Sequence, residues 1–265
     1  MKNIKYYAGL FDADGSFDID PTKRSDGSYY INIRATLYQK DTTVLEPLAK
    51  HFGAEVKSSK GCSCVSLRGD NALRFMEQVK RHLVIKKEVV EFLIPIKGTK
   101  TDDIKSLRAS VQEARRRVSP EKNYPSRQWM AGYIDGDGCI HSSFRKGDGN
   151  IEFKLAVVSH YTQEAGLLLM QKAFGGYITE QADVRKWNIS LSISKGKQLF
   201  EFFGKHLRMK KQQADLVLDC LRSRTHLRRE GATYDDNLRL HQHLQSLKLP
   251  TTTKSLEQDQ LSCKL

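Results

Sequence analysis

The sequence predicts an α+β protein built from two pseudo-symmetric αββαββα(α) subdomains, whose antiparallel sheets together form a saddle. Three observations lead there: an acidic string written twice, further matches between the halves at nearly constant spacing, and alternating apolar residues after each string. The string is YAGLFDADGSF at Tyr7–Phe17 and MAGYIDGDGCI at Met130–Ile140, placing Asp14 123 residues before Asp137. HFGAEV from His51 resembles AFGGYI from Ala173, with Phe52 and Phe174 122 apart. EQVKRHLVIKK from Glu77 parallels EFFGKHLRMKK from Glu201, 124 apart. Three matches in one order indicate an internal duplication with a period too long for a solenoid. Two such copies should pack about a pseudo-two-fold axis.

The elements of the first copy follow in order. IKYYAGLFDAD has helical composition, with Gly15 as its stop. Phe17 and Ile19 alternate with Ser16, Asp18 and Asp20, as on a half-buried strand, and PTKRSDGS supplies a turn. YYINIRATLYQ alternates again, with Ile31, Ile33, Ala35 and Leu37 inward. A helix follows in TVLEPLAKHFG, with Pro47 near its first turn or kinking it. Strands near Glu55–Ser59 and Ser63–Arg68 and helices near Asn71–His82 and Lys87–Leu93 complete the unit.

The second copy predicts a helix to Asp137, strands Cys139–Phe144 and Ile151–Val158, and a helix Thr162–Phe174. Strands Tyr177–Gln181 and Trp187–Ile193 and helices Gly196–His206 and Gln212–Arg222 follow. The expected division is therefore residues 1–98 and 125–225 as subdomains and 99–124 as a linker with a charged helix. Residues 226–265 form an extension without a counterpart, helical near Asp235–Leu247.

Charge narrows the partner. The net charge is +13, and it divides evenly: 23 Lys+Arg against 16 Asp+Glu in residues 1–124, and 21 against 15 in residues 125–265. Two cationic halves suit a polyanion, of which nucleic acid is the commonest. Five cysteines, Cys62, Cys64, Cys139, Cys220 and Cys263, are too irregularly spaced for a disulfide framework or a zinc site. Free thiols in a reducing compartment are expected. No apolar run is long enough to span a membrane, and MKNIKYY lacks the features of a targeting peptide, so the chain is expected to work where it is made or to be a mature form.

The doubled string has its own logic. Gly9 and Ala13 stand four apart, as do Gly132 and Gly136, so each helix shows a small-residue face to the other. Asp14 and Asp137 then fall at adjacent helix C-termini, where helix dipoles and mutual repulsion disfavour two carboxylates. A divalent cation such as Mg²⁺ resolves that conflict, with phosphate oxygens completing its shell. Asp12 and Asp135 are expected to be structural.

The two strings resemble the signature of the LAGLIDADG homing endonucleases, in their single-chain, two-motif form. Tyr7–Gly15 departs from the nine-letter pattern at its first and fifth positions, and Ala131–Gly138 by the Tyr and Gly substitutions. The resemblance covers residues 1 to about 224. It implies a monomer that binds double-stranded DNA and cuts both strands of a long, loosely pseudo-palindromic site, leaving short 3′ overhangs. Asp14 and Asp137 would be its metal-binding catalytic carboxylates, holding Mg²⁺ or another divalent cation such as Mn²⁺. Lys86 and Lys210 would line the cleavage centre, either stabilising phosphorane charge or helping to activate water. Gln39 would position water. Its second-half equivalent is expected at His160, although strand parity would place Ser159 there. Such enzymes are intron- or intein-encoded in organelles and microbes.

The sheets would read DNA in the major groove through outward polar side chains. The candidates are Asp20, Thr22, Tyr30, Asn32, Arg34, Thr36, Ser66 and Arg68 in the first half. In the second they are His141, Ser143, Arg145, Glu152, Lys154, Asn188, Ser190 and Ser192. Two other functions are compatible with the sequence: an RNA-splicing maturase or non-cleaving DNA-binding protein on the same fold, or a basic structural RNA-binding protein.

Overall fold

The computed structural model describes residues 1, 3–59, 61–117, 125–160, 164–181, 183–227 and 233–248. Each half starts with its motif helix, α1 (Ile4–Ala13) or α6 (Arg127–Asp137). The first sheet holds β1 (Gly15–Lys23), β2 (Tyr29–Gln39), β3 (Val56–Ser59) and β4 (Cys62–Arg68) in the order β1-β2-β4-β3. The second holds β6 (Gly138–Phe144), β7 (Ile151–His160), β8 (Tyr177–Gln181) and β9 (Val184–Ser190) in the matching order β6-β7-β9-β8. All these pairings are antiparallel. Ile31, Ile33, Ala35 and Leu37 of β2, and Phe153, Leu155 and Val157 of β7, point into the core as alternation requires.

Helices fill the inner faces. α2 (Leu45–Phe52) carries Pro47 in its first turn, where no intrahelical N–H bond is lost, and stops at Gly53 with φ +65°. α3 (Gly69–Val79) and α4 (Lys87–Ile96) follow in the first half. α7 (Ala165–Phe174), α8 (Ile193–Phe203) and α9 (Lys211–Leu227) follow in the second. Phe11, Phe17, Phe52 and Phe75 form one aromatic cluster of the first core.

Several boundaries differ from expectation. β1 continues through Pro21, Thr22 and Lys23, because it is an edge strand on which the missing proline N–H costs no ladder bond. Gly15 follows the end of α1 as expected and also opens β1; a Cβ there would lie 2.3 Å from the Phe11 ring. The strand expected at Trp187–Ile193 is β9, ending at Ser190, because Ser192 caps the next helix by accepting a hydrogen bond from the Lys195 N–H. The start of the helix expected at Thr162, the end of the linker at 118–124, Cys263 and residues 249–265 lie outside the described residues. Cys62, Cys64, Cys139 and Cys220 form no disulfide among the described residues.

The segment after the first subdomain is part of its fold. β5 (Lys100–Thr101) pairs with β2, and α5 (Ile104–Arg116) packs Val111 and Ala114 inward. Arg115 of α5 donates to the Phe17 carbonyl at 2.8 Å and meets Asp18 at 2.9 Å. The carboxy-terminal extension, expected to lack a counterpart, repeats this arrangement. Its helix α10 (Tyr234–Ser246) packs against β6 as α5 packs against β1. Asn237 donates to the Gly149 carbonyl at 2.9 Å, His241 and Ser142 hydrogen-bond at 2.8 Å, and Tyr234 sits edge-on to Phe144.

Candidate active site between the two motif helices

Small residues bring α1 and α6 into backbone contact. A Cβ on Gly9 would lie 1.9 Å from the Trp129 carbonyl oxygen, and one on Gly132 2.0 Å from the Tyr6 carbonyl oxygen. No real Cβ tolerates either distance, so only glycine permits this approach. At the helix ends, a Cβ on Gly136 would fall 2.4 Å from the Ala13 Cβ and 3.1 Å from Asp14 Oδ2. The Asp14 carboxylate therefore lies against the residue preceding Asp137, with both acids partly exposed at the C-terminal ends of the paired helices.

Asp12 and Asp135 are the structural acids, each 1% exposed. Asp12 accepts from the backbone N–H groups of Val84, Ile85 and Lys86 at 2.7, 3.2 and 2.8 Å. Asp135 accepts from Arg208, Met209 and Lys210 N–H at 2.7, 3.3 and 3.0 Å. Each also binds the opposite half, Asp12 through Trp129 Nε1 at 2.8 Å and Asp135 through the Tyr6 hydroxyl at 2.7 Å. Burial pushes the Asp12 carboxyl up, while the Val84 and Lys86 N–H groups, the Lys86 charge and the Trp129 indole pull it back. The same bonds fix the start of α4 and α9 beside the motif helices and so position Lys86 and Lys210.

Lys86 and Lys210 point their ammonium groups into the helix ends. Lys86 Nζ donates to the carbonyls of Phe11, Ala13 and Gly15 at 2.8, 3.1 and 2.6 Å. Lys210 Nζ donates to the Asp135 carbonyl. Placing a cation on the last carbonyls of a helix offsets the negative end of its dipole. Gln39 Nε2 donates to Asp14 Oδ2 at 2.7 Å.

His160 does not occupy the equivalent place. Gly15 pairs with Leu37 as Gly138 pairs with Val157, so Ser159 stands in the position of Gln39. Ser159 is buried on the inner face, while His160 lies one residue further, exposed on the other face. A side-chain period of two decides this, and parity outweighs chemical plausibility.

The outer faces carry most of the proposed reading residues, with exceptions. Tyr30, Asn32, Arg34, Ser66, His141, Glu152 and Lys154 are partly exposed, and Thr22, Arg68, Ser143, Arg145 and Ser190 are exposed. Asp20 pairs with Arg68 at 3.4 Å, and Arg145 pairs with Glu152. Thr36 is 6% exposed and Asn188 8%, too enclosed to be freely presented. Thr36 shares a 3.3 Å hydrogen bond with Ser66, and Asn188 donates to Thr179 Oγ1 at 3.3 Å and the Lys186 carbonyl at 3.1 Å. Ser192 is a helix cap, off the sheet. Residues missed from the sequence include Tyr38, 42% exposed on the face of Arg34, and Arg108 of α5, which lines a groove with Asp18, Asp20 and Arg34. The alternation that named Arg34 also held for Tyr38; nothing local signalled Arg108.

The profile of the family described as LAGLIDADG endonuclease matches residues 7–107 and 130–220. Similar solved structures include the LAGLIDADG meganuclease I-AabMI bound to uncleaved DNA, at 18% identity and TM-score 0.68, over 92% of this chain and 98% of that one. I-SmaMI bound to an uncleaved DNA target in the presence of calcium ions matches at 18% identity and TM-score 0.67, over 92% and 98%. I-GzeII in complex with its DNA target matches at 16% and 0.66, over 95% and 99%. Those identities speak to the fold, whereas the family profile takes in both acidic strings and both lysine-bearing segments. This chain belongs to the LAGLIDADG endonuclease family.

Proposed function

We propose that the chain is a site-specific endonuclease that hydrolyses one phosphodiester in each strand of double-stranded DNA with a divalent cation. The carrying observation is the placement of Asp14 and Asp137 at abutting helix ends beneath two outward-facing polar sheets. The even positive charge of the halves and the DNA carried by the similar solved structures support the same substrate. Because the two outer faces differ, the site should be long and only loosely pseudo-palindromic, and its cleavage would leave short 3′ overhangs.

The residues fit a hard cation. Asp14 and Asp137 offer carboxylate oxygens, and no group of three or more His, Cys, Asp or Glu ligands occurs among the described residues. A protein giving one or two carboxylates and leaving the remaining positions to phosphate and water suits Mg²⁺. The calcium ions named with I-SmaMI agree with a divalent site of this type. Bound there, the cation would polarise the scissile phosphate and lower the pKa of the attacking water.

Within the first half, Gln39 orients the Asp14 carboxylate. Lys86 neutralises the carbonyls behind it, keeping Asp14 oxygens available to the open side. Lys210 takes that place behind Asp137. Both lysines also add positive potential where charge accumulates on a phosphorane.

Selection from a randomised plasmid library in Mg²⁺ tests the proposal, with linear product as the readout. Sequence-specific binding without any cleavage would replace it with the non-cleaving alternative on this fold.

A further inference from the structure

The two half-sites are built from different side chains. In the first, Leu10 occupies the motif position that Tyr133 holds in the second, 123 residues on. In the first, Gln39 reaches Asp14; in the second, the shorter Ser159 stands at that level of the strand. Tyr133 is 0% exposed, and its hydroxyl makes no hydrogen bond among the described residues.

A buried phenol without a partner is costly, and phenylalanine would fill the same space without that cost. The fold nevertheless makes room for it. A Cβ on Gly166 would lie 2.4 Å from both Tyr133 Cζ and its oxygen, so α7 carries glycine where the phenol meets it. The groups around this hydroxyl belong to the site. Burial holds the Tyr133 phenol well above its ordinary pKa, the Asp137 charge adds to that, and the Ser159 hydroxyl opposes it.

We propose that Tyr133 is a positioning residue of the second half-site. In the DNA-bound enzyme its hydroxyl donates to Ser159 Oγ and directs the serine proton onto the Asp137 carboxylate. The pair thus does for Asp137 what Gln39 does alone for Asp14. Ser159 donates to the His160 carbonyl at 3.3 Å in this structure, at the long end for a hydroxyl hydrogen bond. The two DNA strands are then cut by differently organised centres. This inference rests on the nuclease proposal.

The test compares strand-specific, single-turnover cleavage by the wild type, Tyr133→Phe, Ser159→Ala and the double variant. Asp137→Asn identifies the strand served by the second half-site. Each single variant should slow that strand about tenfold, the value of one charge-directed hydrogen bond. The other strand should be unchanged, so that nicked circles accumulate. The double variant should be no slower than the worse single one, because the pair acts as a unit. Affinity for uncleaved DNA in Ca²⁺ should not move, and the thermal midpoint of Tyr133→Phe should hold or rise. Unchanged rates, equal slowing of both strands, or additive effects would each overturn the proposal. Failure of the wild type to cut any site would instead sink the nuclease proposal on which it rests.

Discussion

The Tyr6 hydroxyl donates to the Asp135 carboxylate of the other half at 2.7 Å, and Trp129 returns the bond to Asp12 at 2.8 Å. Tyr6 and Trp129 are themselves equivalent, 123 residues apart. The interface is therefore a reciprocal clamp in which each half completes the buried acid of the other. Arg208 lies 4.4 Å over the Tyr6 ring and closes one side of the clamp.

Removing one clamp acid should cost stability rather than chemistry alone. Asp12→Asn presents an amide to three N–H donors and the indole, and should destabilise by about 3 kcal/mol. Urea unfolding would show it, and Trp129→Phe should be partly masked in the Asp12→Asn background because the two share one bond. Full additivity would mean that the indole bond contributes nothing.

The close helix crossing makes a second prediction. Gly132→Ala places a methyl group 2.0 Å from the Tyr6 carbonyl oxygen and must force the helices apart. A loss of about 3 kcal/mol or insoluble expression is expected, while Ala131→Gly should fold with a smaller loss. Differential scanning calorimetry separates them.

Catalysis should depend on Asp14 and Asp137 without depending on them for binding. Asp14→Asn and Asp137→Asn should each reduce double-strand cleavage by roughly a thousandfold. Affinity for the uncut site, followed by gel shift in Ca²⁺, should fall little. Undiminished cutting would remove both residues from the chemistry.

Alkaline pH should unfold the protein steeply. Burial first of all holds the phenols of Tyr6, Tyr7 and Tyr133 above the ordinary value of 10.0, so the folded state keeps protons that the unfolded state releases. Their contribution is complete below pH 10 and is lost as pH rises from there towards the folded values. Each should add about 1.4 kcal/mol per pH unit to the slope. Urea midpoints between pH 9 and 11 should fall less steeply for Tyr133→Phe.

On the outer faces, Lys154→Ala should weaken binding and lower the salt slope by about one. Arg34→Ala should instead relax selectivity at one base pair. Tyr234→Ala loosens the contact of α10 with Phe144 beside the β6–β7 turn, and should broaden selectivity only in the half-site read by that hairpin. Cleavage profiling against single-base variants distinguishes the three.

The sequence by itself determined the duplication, the α+β class, the helix-facing glycines and the acids at the helix ends. These follow from short-range periodicity: a spacing of four puts Gly9 and Ala13 on one helix face, and a spacing of two puts Ile31, Ile33 and Ala35 on one strand face. The tertiary structure decided which groups meet. It turned the Lys86 ammonium into the end of α1, enclosed Thr36 and Asn188, and docked α10 as the counterpart of α5. The Lys86 and α10 placements rest on contacts between residues more than 70 positions apart, because packing and buried donors act through space and leave no periodic trace along the chain.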